Sequence, residues 1–296
     1  MSSSPPRNRA AVVAALVSAV LAVAKLSVGV YTGSVSVIAS GLDSTLDVLA
    51  SGLNAWAIRA AIEPPDEHHR FGHGKLESLA ALAQATFVGG SAVLVTLEAG
   101  GRWQSEATIT HPHVALLTVA LSTLVALALV IWQRREYART GSMAVAADSA
   151  HYLSDVLSGI AVMAAVAASS FLGLGFIDPV VSLGVAALML FTGLNLARKA
   201  IDTLLDPALP EVEVRLIEET LRGFKPPLLG WHGLRTRSDG VNRFVEVHLE
   251  LDGDLSLRAA NEVYGDVVAA LGEALPGVDL SIHLDPADEP DPIVRR

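Results

Sequence analysis

Ala147-Asp148-Ser149-Ala150-His151-Tyr152-Leu153-Ser154-Asp155 lies inside a long apolar segment. His151 and Asp155 are four residues apart, so on a helix they share one face. Asp43-Ser44-Thr45-Leu46-Asp47 repeats the spacing inside a second apolar run. On facing helices the two pairs bring three carboxylates and one imidazole to one point. That donor set closes a tetrahedral shell around a divalent metal ion.

The segments around these pairs are too apolar for a soluble domain. Hydrophobic residues make up 51% of the 296 and the mean hydropathy is +0.46, with the excess in the first two thirds. Six spans can be drawn at about Ala10–Val30, Val35–Ala61, Leu76–Gly100, Val114–Trp132, Ser142–Leu172 and Phe176–Leu205. Tyr31-Thr32-Gly33-Ser34 and Gly173-Leu174-Gly175 read as tight turns within hairpins. Asp178-Pro179 reads as an N-cap followed by proline at the first helical position. The first apolar run is too long for a signal peptide and is expected to be a retained span.

Positive charges near span ends set the orientation. Arg7, Arg9, Arg59, Arg70, Lys75, Arg134, Arg135, Arg139, Arg198 and Lys199 fall on one side, and Arg102 stands alone on the other. Both termini are therefore expected in the cytoplasm of a multi-pass inner-membrane protein. Lys25 is the one Lys or Arg well inside a span, and it is expected to snorkel outward.

Past Asp206 the pattern changes. Pro210–Phe224 reads as an amphipathic helix, His232–Arg237 and Phe244–Leu251 as strands joined at Ser238-Asp239-Gly240, Leu257–Leu271 as a helix and Val278–Leu284 as a strand. The order αββαβ predicts a small α+β, ferredoxin-like split sheet covered by helices on one face. The expected domains are thus a transmembrane transport domain at 1–206, a cytoplasmic metal-binding domain at 207–286 and a flexible tail at 287–296. From Pro207 onward 9 Lys/Arg face 17 Asp/Glu, a balance of −8, which argues against nucleic-acid binding and suits cations. The absence of cysteine removes thiolate sites and disulfides, leaving His, Asp and Glu as metal ligands.

A carboxylate at the bilayer centre costs about 2.5–3.5 kcal/mol. Asp43, Asp47, His151 and Asp155 would be a heavy burden with no compensating charge, and a dication supplies it. Oxygen and imidazole donors in a four-coordinate shell suit zinc, and also ferrous iron, cadmium, cobalt or manganese. Four protein ligands leave no open position for an activated water, which argues against hydrolysis. Protons compete with metal for the same ligands, so proton-coupled antiport follows as an expectation. Asp148, three residues before His151, reads either as a supporting acceptor or relay or as an ordinary polar residue. Asn54 reads as interhelical glue.

Two further clusters lie outside the spans. Asp66-Glu67-His68-His69-Arg70-Phe71-Gly72-His73 is dense in donors, but a short flexible loop makes a weak site, suited to delivery or regulation. In the C-terminal domain His232 and His248 fall on neighbouring strands, and His283 and Asp285 alternate at the end of the third, so a sheet could gather all four.

GLDSTLD at 41–47, HHRFGHGKLESLAAL at 68–82, ADSAHYLSDV at 147–156, and the strings LRTR, VHLEL and IHLDP near the C-terminus together resemble the cation diffusion facilitator family, in particular its bacterial ferrous-iron/zinc efflux branch. The resemblance covers nearly the whole chain. It implies a homodimer with six transmembrane helices per subunit and a metallochaperone-like cytoplasmic domain, exporting metal against protons by alternating access. It also implies a transport site of Asp43, Asp47, His151 and Asp155, and a loop site of Asp66, His69 and His73. His232, His248, His283 and Asp285 would hold a pair of metals in the C-terminal domain, and Lys75 and Asp206 an inter-subunit charge interlock. Asn261 stands where relatives often carry another histidine, and an amide is a poor zinc ligand. A membrane metal sensor that does not transport, and an intramembrane metalloenzyme, are the alternative readings.

Overall fold

The computed structural model describes residues 7–32, 35–102, 112–172, 177–224, 226 and 228–288. The turn residues 33–34 and 173–175, His111 and the tail from 289 lie outside the described residues. The chain divides into two units, Met1–Ile201 and Asp202–Arg296.

The first unit is built from six helices, α1 (Arg7–Thr32), α2 (Val35–Ala61), α3 (Lys75–Arg102), α4 (Pro112–Thr140), α5 (Met143–Leu172) and α6 (Ile177–Leu204). The shortest has 26 residues, or about 39 Å at 1.5 Å per residue, against a hydrocarbon core of about 30 Å. Stretches of α1, α3, α4 and α6 are long and apolar enough to cross a membrane by length and composition alone. The two remaining long helices, α2 and α5, carry the paired ionisable residues.

The packing is inside out relative to a soluble protein. Leu16, Val20, Val23, Leu94, Leu97 and Leu121 are exposed, whereas Ser18, Ser51, Asn54, Gln84, Gln133 and Asp148 are buried. Lipid accepts the apolar exterior, and polar groups in such a bundle must bond one another inside it.

α5 packs against α1, α2, α3 and α4. Its small residues permit this: Ala144 and Ala147 are fully buried. Gly159 lies so close to α4 that an added Cβ would stand 1.9 Å from Thr123 Oγ1.

α4 runs eight residues beyond the expected end at Trp132. Gln133 through Thr140 contain good helix formers and no glycine or proline, so the helix continues past the apolar stretch. It stops at Gly141, whose φ of 65° suits a left-handed helix end. α6 starts at Ile177, one residue before the expected cap at Asp178.

In the second unit α7 (Glu211–Gly223), β1 (Leu228–Ser238), β2 (Arg243–Leu251), α8 (Leu257–Ala274) and β3 (Val278–Pro286) follow in the expected order. Asp239 Oδ1 accepts the N–H groups of Val241 and Asn242, which with Gly240 at φ 91° folds the β1–β2 turn. β1 pairs antiparallel with β2, and β2 parallel with β3. The sheet order is β1-β2-β3, so no strand separates the parallel pair. The sheet is continuous rather than split, because among the described residues no fourth strand exists to intervene.

Alternation from Val245 to Leu251 sorts the faces of β2. Val245, Val247, Leu249 and Leu251 are buried against Ile217 and Leu221 of α7 and Val263, Val267 and Leu271 of α8. Glu246, His248 and Glu250 therefore point to the other face, away from the helices.

Candidate metal centres

α2 and α5 bring together Asp47, His151 and Asp155, and one ligand atom from each lies within 4.8 Å of the others. His151 Nε2 stands 2.8 Å from Asp47 Oδ1. Neighbouring ligands in a tetrahedral site with bonds near 2.0–2.1 Å are about 3.4 Å apart, so small side-chain adjustments, with the His151–Asp47 pair opening by about 0.6 Å, fit the set to a metal. Asp43 sits on α2 one turn before Asp47, but its side chain lies outside the described residues.

Beside this group runs a fully buried polar network. Asp148 Oδ1 accepts from Ser51 Oγ at 2.9 Å and Asn54 Nδ2 at 3.4 Å, and Oδ2 accepts from Gln133 Nε2. The Tyr152 hydroxyl joins Ser51 at 2.9 Å and also bonds Ser18 on α1. Asp148 is thus a junction of α2, α4 and α5, and it does not belong to the three-residue metal group. Asn54 serves as an interhelical tie.

Lys25 departs from the expected outward snorkelling. Its ammonium donates to Ser44 Oγ on α2 at 2.8 Å. Lys25 sits about two turns inside α1 on the closely packed α1–α2 pair, which puts a polar partner within its reach across the pair.

The loop between α2 and α3 is more ordered than expected. Asp66 Oδ1 accepts the backbone N–H groups of His68 and His69 at 2.8 and 2.6 Å. Gly72, at φ 87°, returns its N–H to the His69 carbonyl. This fold gathers Asp66, His69 and His73 within 4.8 Å of one another, with His73 Nε2 at 3.1 Å from His69 Nδ1. The N–H of His69, helped by that of His68, holds the Asp66 carboxyl below the usual carboxylate range. His68 is exposed and outside the group.

On the open face of the C-terminal sheet three histidines stand in register across three strands. His232 pairs with His248, and His248 with His283. The rings stack at 5.1 and 4.6 Å. His248 Nδ1 is 2.7 Å from Asp285 Oδ2, and His232 Nδ1 is 2.8 Å from Glu250 Oε1. The β1 register shifts after His232, where Gly233 takes a φ of 63°. A Cβ there would come within 3.1 Å of the His248 ring. The four expected ligands are not one cluster: His232, His248 and Asp285 form one group, while His283 joins Glu246 and His248 in another. Asn261 is exposed on α8.

Glu246 and Glu250 escaped the sequence reading. The signal was present in Glu246-Val247-His248-Leu249-Glu250, where both acids share the histidine's face. Asp206 accepts from Arg237 Nη1 at 3.3 Å within its own unit, a partner that would compete with any inter-subunit pairing.

The model for the cation efflux transmembrane domain matches residues 11–205, and that for the cation efflux protein cytoplasmic domain matches residues 209–287. The chain belongs to the cation diffusion facilitator family. Its relatives include the cation-efflux pump FieF of Pectobacterium atrosepticum, 40% identical over 277 residues, covering 94% of this chain and 92% of that one. FieF of Escherichia coli strain SMS-3-5 is 38% identical over 279 residues, with the same coverage. Among solved structures, the metal-bound C-terminal domain of the CzcD transporter from Thermotoga maritima matches at 25% identity, covering 27% of this chain and 98% of that one, with a TM-score of 0.25. The zinc form of the putative zinc transporter CzrB matches at 34% identity, covering 28% and 94%, also with a TM-score of 0.25. As a member of this family the chain is a multi-pass membrane cation-efflux transporter, not an enzyme.

Proposed function

We propose that this transporter exports divalent transition-metal cations from the bacterial cytoplasm across the inner membrane in exchange for protons, by alternating access. Zinc fits the donors best, and ferrous iron, cadmium and manganese also fit. The observation that carries this is the Asp47, His151 and Asp155 group on facing helices of a bundle whose exterior is apolar. Asp43 is assigned as its fourth ligand. Protons and metal compete for these donors, which couples loading on one side to release on the other.

Transport is assigned to residues 1–206, metal response to a cytoplasmic domain at 207–286, and a flexible tail to 287–296. Both termini are placed in the cytoplasm by the positive charges. The loop group of Asp66, His69 and His73 serves capture or regulation. His232, His248, His283 and Asp285 bind regulatory metal on the C-terminal sheet. The cytoplasmic-domain match carries the name ZT_dimer, which supports a homodimer.

The test is metal flux into proteoliposomes under an imposed pH gradient, wild type beside Asp47→Ala and Asp155→Ala. Zinc flux that follows the gradient and disappears in both variants is expected. Flux that persists in Asp155→Ala sinks the site, and flux indifferent to the gradient sinks proton coupling. Zinc binding without any flux would return the chain to the sensor reading.

A further inference from the structure

We propose that Glu246 is a metal ligand, and that with His248 and His283 it forms a second divalent transition-metal position on the C-terminal sheet, separate from the one at His232 and Asp285. This rests on the reading that the open sheet face binds metal, and it adds a residue and a division of labour to that reading.

Three observations carry it. One ligand atom each from Glu246, His248 and His283 lies within 4.8 Å of the others. Strand geometry enforces this: Glu246 and His248 are two apart on β2 and share a face, and His283 lies opposite His248 in the parallel register. The His248 and His283 rings stack 16° from parallel with centroids 4.6 Å apart, so the two imidazoles lie face to face beside Glu246.

His248 is common to both groups, and one imidazole nitrogen serves one metal. Its Nδ1 lies 2.7 Å from Asp285 Oδ2. A carboxylate that accepts a hydrogen bond from Nδ1–H fixes the tautomer and leaves the Nε2 lone pair for a metal. His248 is thereby directed to the Glu246 and His283 position. His232 and Asp285, whose Nε2 and Oδ2 stand 3.7 Å apart, retain the first position with Glu250 beside them.

Two imidazoles and one carboxylate suit zinc, cobalt or ferrous iron and disfavour calcium and magnesium. A competitor is built in. Arg235 faces Glu246 across the β1–β2 register, and its Nη1 stands 4.0 Å from Glu246 Oε1. Metal entering this position must draw the carboxylate away from that guanidinium.

The experiment uses the full-length protein in detergent carrying Asp155→Ala and His73→Ala, which weaken the other two centres. Zinc bound at equilibrium dialysis is counted for this background, for Glu246→Gln, His283→Ala, His232→Ala, His248→Ala and Arg235→Gln added singly, and for Glu246→Gln added with His232→Ala. The expected result is that Glu246→Gln and His283→Ala each weaken the same equivalent by about 100-fold or more, since even supporting residues behind a ligand are worth 10- to 100-fold. His232→Ala weakens a different equivalent, so Glu246→Gln with His232→Ala loses both. Arg235→Gln tightens the Glu246 equivalent, which a purely structural role for Glu246 does not predict. If Glu246→Gln binds as much zinc as the background with the same affinity while His283→Ala loses an equivalent, Glu246 is no ligand although the sheet still binds metal. If the three histidine variants, His248→Ala included, also bind undiminished, the sheet reading itself fails and takes this proposal with it.

Discussion

Asp148 is fully buried, and every bond it makes to a side chain is accepted from a neutral donor on another helix. Replacing it with alanine removes the acceptor shared by Ser51, Asn54 and Gln133. Ser51 keeps the Tyr152 hydroxyl at 2.9 Å, so two amide donors are left stranded. A stranded buried donor costs about 1–3 kcal/mol in general, while interhelical bonds in membrane bundles average about 0.6 kcal/mol. Asp148→Ala should therefore destabilise the bundle by roughly 1–4 kcal/mol.

Asp148→Asn is a different perturbation. Ser51 can still donate to the remaining carbonyl oxygen. The new amide would face the Gln133 amide, but Gln133 Oε1 has no hydrogen-bond partner. Turning the Gln133 side chain over offers that oxygen to the new amide and restores the bond, so the cost should stay below about 1 kcal/mol. Melting of the purified protein in detergent, followed with zinc binding, reads both variants. A shift of roughly 2–4 °C per kcal/mol is expected for a unit of this size, with zinc affinity at the transport site largely kept in Asp148→Asn. If Asp148→Asn melts as low as Asp148→Ala, the amide exchange is wrong. If it melts like wild type yet abolishes transport, the carboxyl itself works in the cycle, and a role as helix tie alone is refuted.

Three other predictions concern separate parts of the chain. Gly159→Ala should drive α4 and α5 apart and lower the melting temperature, and Thr123→Ala should restore much of it, because the closest clash is with Thr123 Oγ1; an additive double variant would contradict this. Gly233→Ala should cost about 1–2 kcal/mol from the left-handed backbone alone and weaken zinc at the sheet by crowding His248, measurable by urea titration with Trp231 fluorescence and by dialysis. Asp66→Asn should keep the loop folded, since an amide oxygen can still accept the His68 and His69 N–H groups, but weaken loop metal; Asp66→Ala should lose both, read by proteolysis of the loop and by zinc binding. The lowered pKa of Asp66 has a definite sign: its contribution is present above the unfolded value and is lost only as pH falls through the still lower folded value. The Asp66 carboxyl therefore does not titrate between pH 7 and 5, and Asp66→Asn should leave the shape of the loop-metal pH profile in that range unchanged.

Much of the architecture could be read from local pattern. Apolar length gave the six helices, and alternation gave β2 with His248 on the face away from the core. The α4 end was misplaced because hydropathy marks where lipid stops, whereas helix propensity carried the backbone on to Gly141. The loop looked flexible because its order comes from a carboxylate folding back on two backbone N–H groups, which composition does not display.

The chain's own order of residues established that His151 and Asp155 share a face, that acids sit where lipid would reject them, and that metal rather than thiol or nucleic-acid chemistry fits. These follow from periodicities of 3.6 and 2 and from side-chain chemistry, which act over a few residues. Which distant groups meet was settled only by packing. Asp47 and His151 are 104 positions apart, Ser18 and Tyr152 134 apart. The destination of Lys25 and the division of the sheet histidines between Asp285 and Glu246 likewise depend on how helices are rotated about their axes and how strands are registered, and no local spacing encodes those two variables.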